Sequence, residues 1–246
     1  MARMADVHGA PGGLLKGIGA AALLAVSAPA LAQGWQCTVP PAISVPPLPR
    51  PDAPARVVPI TGYTLALSWS PEFCRTRKAD PAHATQCSGA MGRFGFVLHG
   101  LWPEGRGSAY PQWCPTRRAP DAQTVRRNLC TTPSANLLVH EWAKHGSCMA
   151  RDPAEYFDKG RALFESLQFP DMARLSRQKG LNAGMVRQAL VIANPTLRAD
   201  MIRLLVSRNG WLREIHICHS RAFKPVRCAS GTGPASTAAV KIWRSF

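Results

Sequence analysis

Acidic residues are scarce. Fourteen Asp and Glu stand against thirty Lys and Arg in 246 residues, a formal charge of +16 with a pI near 10.3. The first 32 residues hold Arg3, Lys16 and Asp6, a net +1, so the rest of the chain carries +15 on its own. Such a balance favours polyanions, whether nucleic acid, an anionic membrane surface or an acidic polysaccharide, without choosing among them. Cysteine pairs at C-x-x-C spacing are absent, which argues against a structural zinc site. Beyond residue 32 no stretch is long and apolar enough to cross a bilayer, so no membrane anchor is expected there. Internal repeats are absent, and so is any recurring strand–helix unit. That pattern points to an α+β fold over a doubly wound sheet.

What is present begins with an export-type leader. Residues 1–32 combine the positive charges of Arg3 and Lys16 with the apolar run GIGAAALLAVSAPALA. They end in Ala30-Leu31-Ala32, an A-x-A cleavage pattern that makes Gln33 the expected first mature residue. The run is shorter than the ~20 residues of a membrane span, and Gln33 cannot carry a cysteine-linked lipid. The expected destination is the periplasm or the medium. Eight cysteines follow the leader: Cys37, Cys74, Cys87, Cys114, Cys130, Cys148, Cys218 and Cys228. An even number in an exported chain implies disulfides, with connectivity still open.

Residues 33–59 read as a proline-rich arm, with eight prolines between Pro40 and Pro59. The arm leaves Cys37 on an extended segment in need of a partner within a single domain over 60–246. Alternation and bounding Gly and Pro mark strands at YTLALSWS (63–70), RFGFVLHG (93–100) and LREIHICHS (212–220). A short helix is expected at 121–128. Another is expected from a Ser134 cap to a stop at Gly146, and a third from Asp152 to about 167 with Pro153 in its first position. Helical patterns also cover 170–178, 183–193 and 196–207, and the tail 229–239 reads as small and flexible.

The stretch HEWAKHGSC (140–148) concentrates ionisable groups. On a helix, His140 and Lys144 form one i,i+4 row and Glu141 and His145 the adjacent one. A zinc-binding H-E-x-x-H helix has its histidines four apart. Here they are five apart, their rings diverge, and a lysine between them would repel a dication. Acid–base use therefore ranks above metal binding. An ordinary polar helix face would be the better reading if FVLHGLWP (96–103) did not supply His99 at a strand end, followed by Gly100 and Trp102.

FVLHGLWP and VHEWAKHGSC together resemble the two active-site segments of the ribonuclease T2 family. LALSWSPEFC (65–74) and LREIHIC (212–218) resemble its first and late core strands, so the resemblance runs from about 63 to about 228. It implies a disulfide-bonded antiparallel sheet flanked by helices. It also implies cleavage of single-stranded RNA by transphosphorylation, through a 2′,3′-cyclic phosphate, without metal or other cofactor. His145 would be the base and His99 the acid, although the residues themselves leave that order open. His140 would bind phosphate and Lys144 would stabilise the pentacoordinate intermediate. Glu141 would orient His145 or assist at the phosphoryl oxygens. DNA, lacking the 2′-hydroxyl, should survive.

Base binding falls to Trp102 as a stacking face, Glu104 as an acidic contact where a shorter Asp is common, and Tyr110 as a second stacking partner or simple loop packing. Resemblance suggests Cys74–Cys87 and Cys114–Cys148. Proximity suggests Cys218–Cys228, and elimination leaves Cys37–Cys130. His216 and His219 read as structural or surface residues, and His83 as part of a polar loop. A monomer is the default expectation. Two other classes stay open: a metal-dependent hydrolase, which EDTA would expose, and a basic binding module, against which the five filled positions argue.

Overall fold

A computed structural model describes residues 37–229 and 231–244. The leader read at 1–32 and the start of the arm lie outside the described residues. Four strands, β1 Gly62–Trp69, β2 Phe96–Glu104, β3 Ile202–Val206 and β4 Leu212–Ser220, form one antiparallel sheet in the order β2-β1-β4-β3. Helices α1 Ser70–Cys74 and α2 Ala84–Cys87 follow β1. Helices α3 Ala122–Asn128, α4 Ala135–Lys144, α5 Pro153–Glu165, α6 Met172–Leu175 and α7 Ala183–Ala193 lie between β2 and β3. The architecture is α+β, an antiparallel sheet flanked by helices.

The longer helices start where their caps dictate. Ser134 Oγ accepts the Leu137 N–H at 3.2 Å, and Asp152 Oδ1 accepts the Ala154 N–H at 2.8 Å with Pro153 inside the first turn. Both α4 and α5 pack against β2.

The sheet has one apolar and one polar face. Cross-strand partners share a face, so Leu65 lies with Leu101 and Ile217, and Leu67 with Leu98 and Ile215, all buried. The opposite face carries Thr64 beside Trp102 and Cys218, and Ser68 beside Val97 and Glu214. One irregularity adjusts the pattern. The β1–β2 register steps from Ala66↔Gly100 to Leu67↔Leu98, leaving His99 as an extra residue. Such a bulge re-aims side chains. Here it restores Leu101 to the core after Leu98, and it brings His99 and Trp102, three residues apart, to the same side.

Three sequence expectations fail in whole or in part. The pattern read as a helix over 196–207 is a short 3₁₀ turn followed by β3. Ile202 and Leu204 are buried while Arg203 and Leu205 are less so, a period of two that a short apolar run does not separate from a helical one. The tail is tied down. Ala183 donates to Ala238 O, Val240 to Leu181 O and Leu212 to Lys241 O, while Arg187 donates to the carbonyls of Thr232 and Pro234. The helix expected at 170–178 is also reduced to the single turn of α6.

Four disulfides staple the fold: Cys37–Cys130, Cys74–Cys87, Cys114–Cys148 and Cys218–Cys228. From Cys37 the arm runs without helix or regular strand, packing Val39, Ile43, Val45 and Leu48 against the core. It is pinned near its far end by Arg56 and Gln112, whose backbones exchange bonds of 2.8 and 2.9 Å.

Candidate active site

The bulge places His99 between two carboxylates. Its Nδ1 lies 2.9 Å from Glu214 Oε1 on β4, and its Nε2 lies 3.6 Å from Glu141 Oε1 on α4. Burial alone would lower the His99 pKa, but the Glu214 hydrogen bond and the charges of Glu141 and Glu214 outweigh it and raise the value. Glu141 is 3 % exposed, and burial pushes its carboxyl up to about 7 against the pull of His99 and the Trp102 hydrogen bond. That bond runs from Trp102 Nε1 to Glu141 Oε2 at 2.7 Å. Gly100 makes it possible, because a Cβ there would stand 2.1 Å from the same oxygen.

His145 has the opposite environment. It is 7 % exposed, and burial, then Lys144, His140 and His99, lower its pKa to about 3. Its Nδ1 is buried without a hydrogen-bond partner among the described residues. The sequence reading set Glu141 beside His145, and the structure corrects this. The helix ends at Lys144, and His145 is its C-cap, with φ −115° and ψ −49°. Only the backbone bond from His145 N–H to Glu141 O joins the two. The Glu141 carboxylate turns instead to His99 and Trp102.

Trp102 is the centrepiece of the cluster. Its ring meets His99 edge-on at 5.1 Å and His216 edge-on at 5.1 Å, and lies tilted over His145 at 5.5 Å. Tyr110 lies 6.3 Å from the His145 ring and carries the Arg56 guanidinium 5.2 Å from its own. Glu104 Oε1 accepts a hydrogen bond from Thr64 at 2.6 Å.

His140 packs edge-on against Trp113 at 5.5 Å, and burial, followed by Lys144, lowers its pKa. Lys144 Nζ lies 3.0 Å from Asp52 Oδ2 of the arm, while Trp113 Nε1 donates to Asp52 Oδ1 at 2.8 Å. These two bonds hold the Asp52 carboxyl below its usual range, the Lys144 bond most. Trp113 itself has φ +52°, a sparsely populated conformation for a non-glycine residue. It is fixed by its N–H bond to Lys144 O and by the adjacent Cys114–Cys148 disulfide.

Two cavities meet at His99 and His140. One, of about 500 Å³, is lined by Trp102, Glu104, Tyr110, Lys144 and His145. The other, of about 760 Å³, lies between Pro46, Pro47 and Pro49 of the arm, Ser68 and Glu214 of the sheet, and Asn136 of α4. The sequence reading missed Asp52 and Glu214, and placed His216 outside the site. His216 lines the smaller cavity and holds Glu214 Oε2 at 2.8 Å. The available signal was weak: Glu214 and His216 alternate on one face of a strand, while nothing in the arm marks Asp52.

Residues 61–228, more than half of the chain, match the family model described as the Ribonuclease T2 family. The chain belongs to the ribonuclease T2 family. A protein from Haemophilus influenzae called a probable ribonuclease is 34% identical over 182 residues, 70% of this chain and 62% of its own length. The chain thus spans less than two thirds of that relative. A ribonuclease from Aeromonas hydrophila is 35% identical over 161 residues, 63% of this chain and 70% of its own. The fold of this chain recurs in trichomaglin, described as a novel S-like ribonuclease, at 21% identity and TM-score 0.59, covering 74% of this chain and 97% of that one. It recurs again in RNase NT, solved with 5′-AMP, at 18% identity and TM-score 0.57, covering 75% and 98%.

Proposed function

We propose that the protein is an endoribonuclease that cleaves single-stranded RNA by transphosphorylation, with His145 as general base and His99 as general acid. The carrying observation is the opposed environment of two histidines on one cavity. His99 is biased toward its cationic form by two carboxylates, and His145 toward its neutral form by burial and surrounding cations. A neutral imidazole accepts a proton and an imidazolium supplies one, so both are ready at the same pH. His145 takes the proton of the 2′-hydroxyl. The 2′-oxygen bonds to phosphorus, the bond from phosphorus to the 5′-oxygen breaks, and His99 protonates that leaving oxygen. The products are a 2′,3′-cyclic phosphate and a free 5′-hydroxyl.

Lys144 and His140 stand where the crowded phosphorane gathers negative charge. Glu141, whose burial raises its pKa to about 7, stands 3.6 Å from His99 Nε2, where its carboxyl supports the charge of the proposed acid. The nucleotide bearing the attacking hydroxyl belongs beside the base, in the cavity with Trp102, Glu104 and Tyr110, since His145 lines that cavity alone of the two. The leaving nucleoside then occupies the cavity walled by the arm. Net charge of +16 supports binding to a polyanion. The leader-like residues 1–32 and the four disulfides support action in an oxidising compartment outside the cytoplasm. Among the described residues no helix is long and apolar enough to cross a membrane.

The test is to incubate the oxidised protein with single-stranded RNA and EDTA and to analyse the ends formed. Cyclic phosphate ends are expected, with DNA untouched and with activity lost in His99→Ala and His145→Ala. Inhibition by EDTA, or near-normal turnover in either variant, would overturn the proposal.

A further inference from the structure

Glu214 lies on the polar sheet face on β4, separated by β1 from β2, the strand that carries His99. β4 lies between β1 and β3, and Glu214 pairs across the ladder with Ser68 on one side and Leu205 on the other. Both carboxylate oxygens are engaged. Oε1 receives His99 Nδ1 at 2.9 Å and the Ser68 hydroxyl at 3.1 Å, and Oε2 meets His216 Nε2 at 2.8 Å. The carboxylate therefore cannot rotate without breaking a bond at one end.

We infer that Glu214 is a positioning residue for the proposed acid: it holds the proton on His99 Nδ1 and so dedicates Nε2 to the leaving oxygen. The inference rests on the transphosphorylation reading and extends it to a residue outside both sequence motifs. An imidazole whose Nδ1–H is bound to a fixed carboxylate has one rotamer and one neutral tautomer. After Nε2 gives its proton to the 5′-oxygen, the Nδ1–H remains on Glu214 and Nε2 carries a free lone pair. That lone pair can then take a proton from a water whose oxygen bonds to phosphorus as the bond to the 2′-oxygen breaks, while His145 returns its proton to that 2′-oxygen, so both histidines regain their starting forms.

The second oxygen extends the arrangement. Through His216, Glu214 is joined to the edge of Trp102, whose indole N–H is held by Glu141 on the other side of His99. His99 is thus enclosed by Glu214 from β4, Ser68 from β1, Trp102 from its own strand, and Glu141 from α4. The charge of protonated His99 in turn bears on His140 and His145 through space and helps to lower the pKa of each. At Nδ1 itself Glu214 Oε1 stands at 2.9 Å, and the Ser68 hydroxyl, which donates to the same carboxylate oxygen, at 3.4 Å. Burial of Glu214 would raise its pKa, but the bonds from His216 and His99 reverse this and keep it ionised.

A substrate that needs no acid separates positioning from mere structure. A nucleoside 3′-(4-nitrophenyl phosphate) expels a stable phenolate, whereas RNA expels an alkoxide that must be protonated. Glu214→Gln keeps the side-chain volume and removes the charge. It is expected to cut RNA turnover at least about tenfold, within the range general acids contribute, while the aryl ester loses several-fold less. Without the carboxylate, His99 gives up its proton more easily, so the high-pH limb of kcat/KM for RNA should move to lower pH by about one unit. The low-pH limb should stay in place. Glu214→Asp, which retracts the carboxylate by one methylene, should show the same selectivity between substrates and serves if the Gln variant does not fold. Equal losses on both substrates, or an unmoved high-pH limb, would overturn the inference. The parent protein is a separate control: if it forms no cyclic phosphate, the transphosphorylation reading fails, whatever Glu214 does.

Discussion

Gly100→Ala tests the packing of the proposed site with a single methyl group. Gly100 does not need glycine for its backbone angles; it needs the absence of a side chain. An added Cβ would lie 2.1 Å from Glu141 Oε2, 2.9 Å from Glu141 Cδ and 2.7 Å from Trp102 Nε1. Neither neighbour is a loose surface tip, since Glu141 is 3 % exposed and each is bonded to the other. The carboxylate must retreat by about 1 Å merely to reach a tolerable contact. That retreat breaks the Trp102 bond and draws Oε1 away from His99. Overpacking of this kind costs roughly 1–3 kcal/mol, and a lost buried bond to a charged group roughly 1.5–3 kcal/mol. A total near 3 kcal/mol lowers the melting temperature by about 6–12 °C in a domain of this size, leaving the fold intact. RNA turnover should fall by roughly ten- to a hundredfold, as expected when a charged neighbour of the acid is displaced. Thermal melts by circular dichroism and initial rates on RNA, on oxidised protein, measure both. A variant that melts within about 2 °C of the parent and cleaves at its rate would show that Glu141 does not lodge against Gly100, and the argument built on that contact would fall.

Two further outcomes concern the arm. Asp52→Asn removes the anion that occupies Lys144. Inorganic phosphate should then bind more tightly in a calorimetric titration, with the gain shrinking as salt rises; weaker binding would mean that Asp52 serves to orient the lysine. Replacing Cys37 and Cys130 together with Ser opens a closure of 93 residues, worth up to about 4.7 kcal/mol in the chain-entropy model. A clear drop in melting temperature is expected, and an unchanged melt would show that the non-covalent anchors alone hold the arm.

The parts of the site that were legible in sequence are those set by local rules. Ser134 announces α4, and the spacing within HEWAKHGSC places His140, Glu141 and Lys144 on it. Side-chain direction is where local rules fail. The i,i+4 logic pairs Glu141 with His145, but the Glu141 carboxylate is drawn to His99 and Trp102 of β2, partners that the helix sequence does not contain. Strand alternation assumes an unbroken period of two, but the extra residue at His99 changes the parity of everything after it. Glu214 and His216 become site residues only because β4 is paired beside β1, a long-range fact that no local pattern encodes. β3 was hidden for a related reason: five residues are too few to show which period governs them.

The arm divides the cleft into parts of different provenance. Its floor, with His99, Lys144 and His145, lies within the segment that matches the T2 family, whereas Pro46, Pro47 and Pro49 lie before residue 61. A chain rich in proline already favours an extended form when unfolded, so laying it down as a wall costs little ordering entropy. Its ends are fastened by the Cys37–Cys130 bridge and the Arg56–Gln112 pair, and between them Asp52 is tied into the site through Lys144 and Trp113. The part of the wall that can be exchanged is therefore the stretch ahead of Asp52. Its sequence can change, and with it the shape of the cavity proposed for the departing nucleoside, while Asp52 and the residues proposed for proton transfer stay where the rest of the fold has put them.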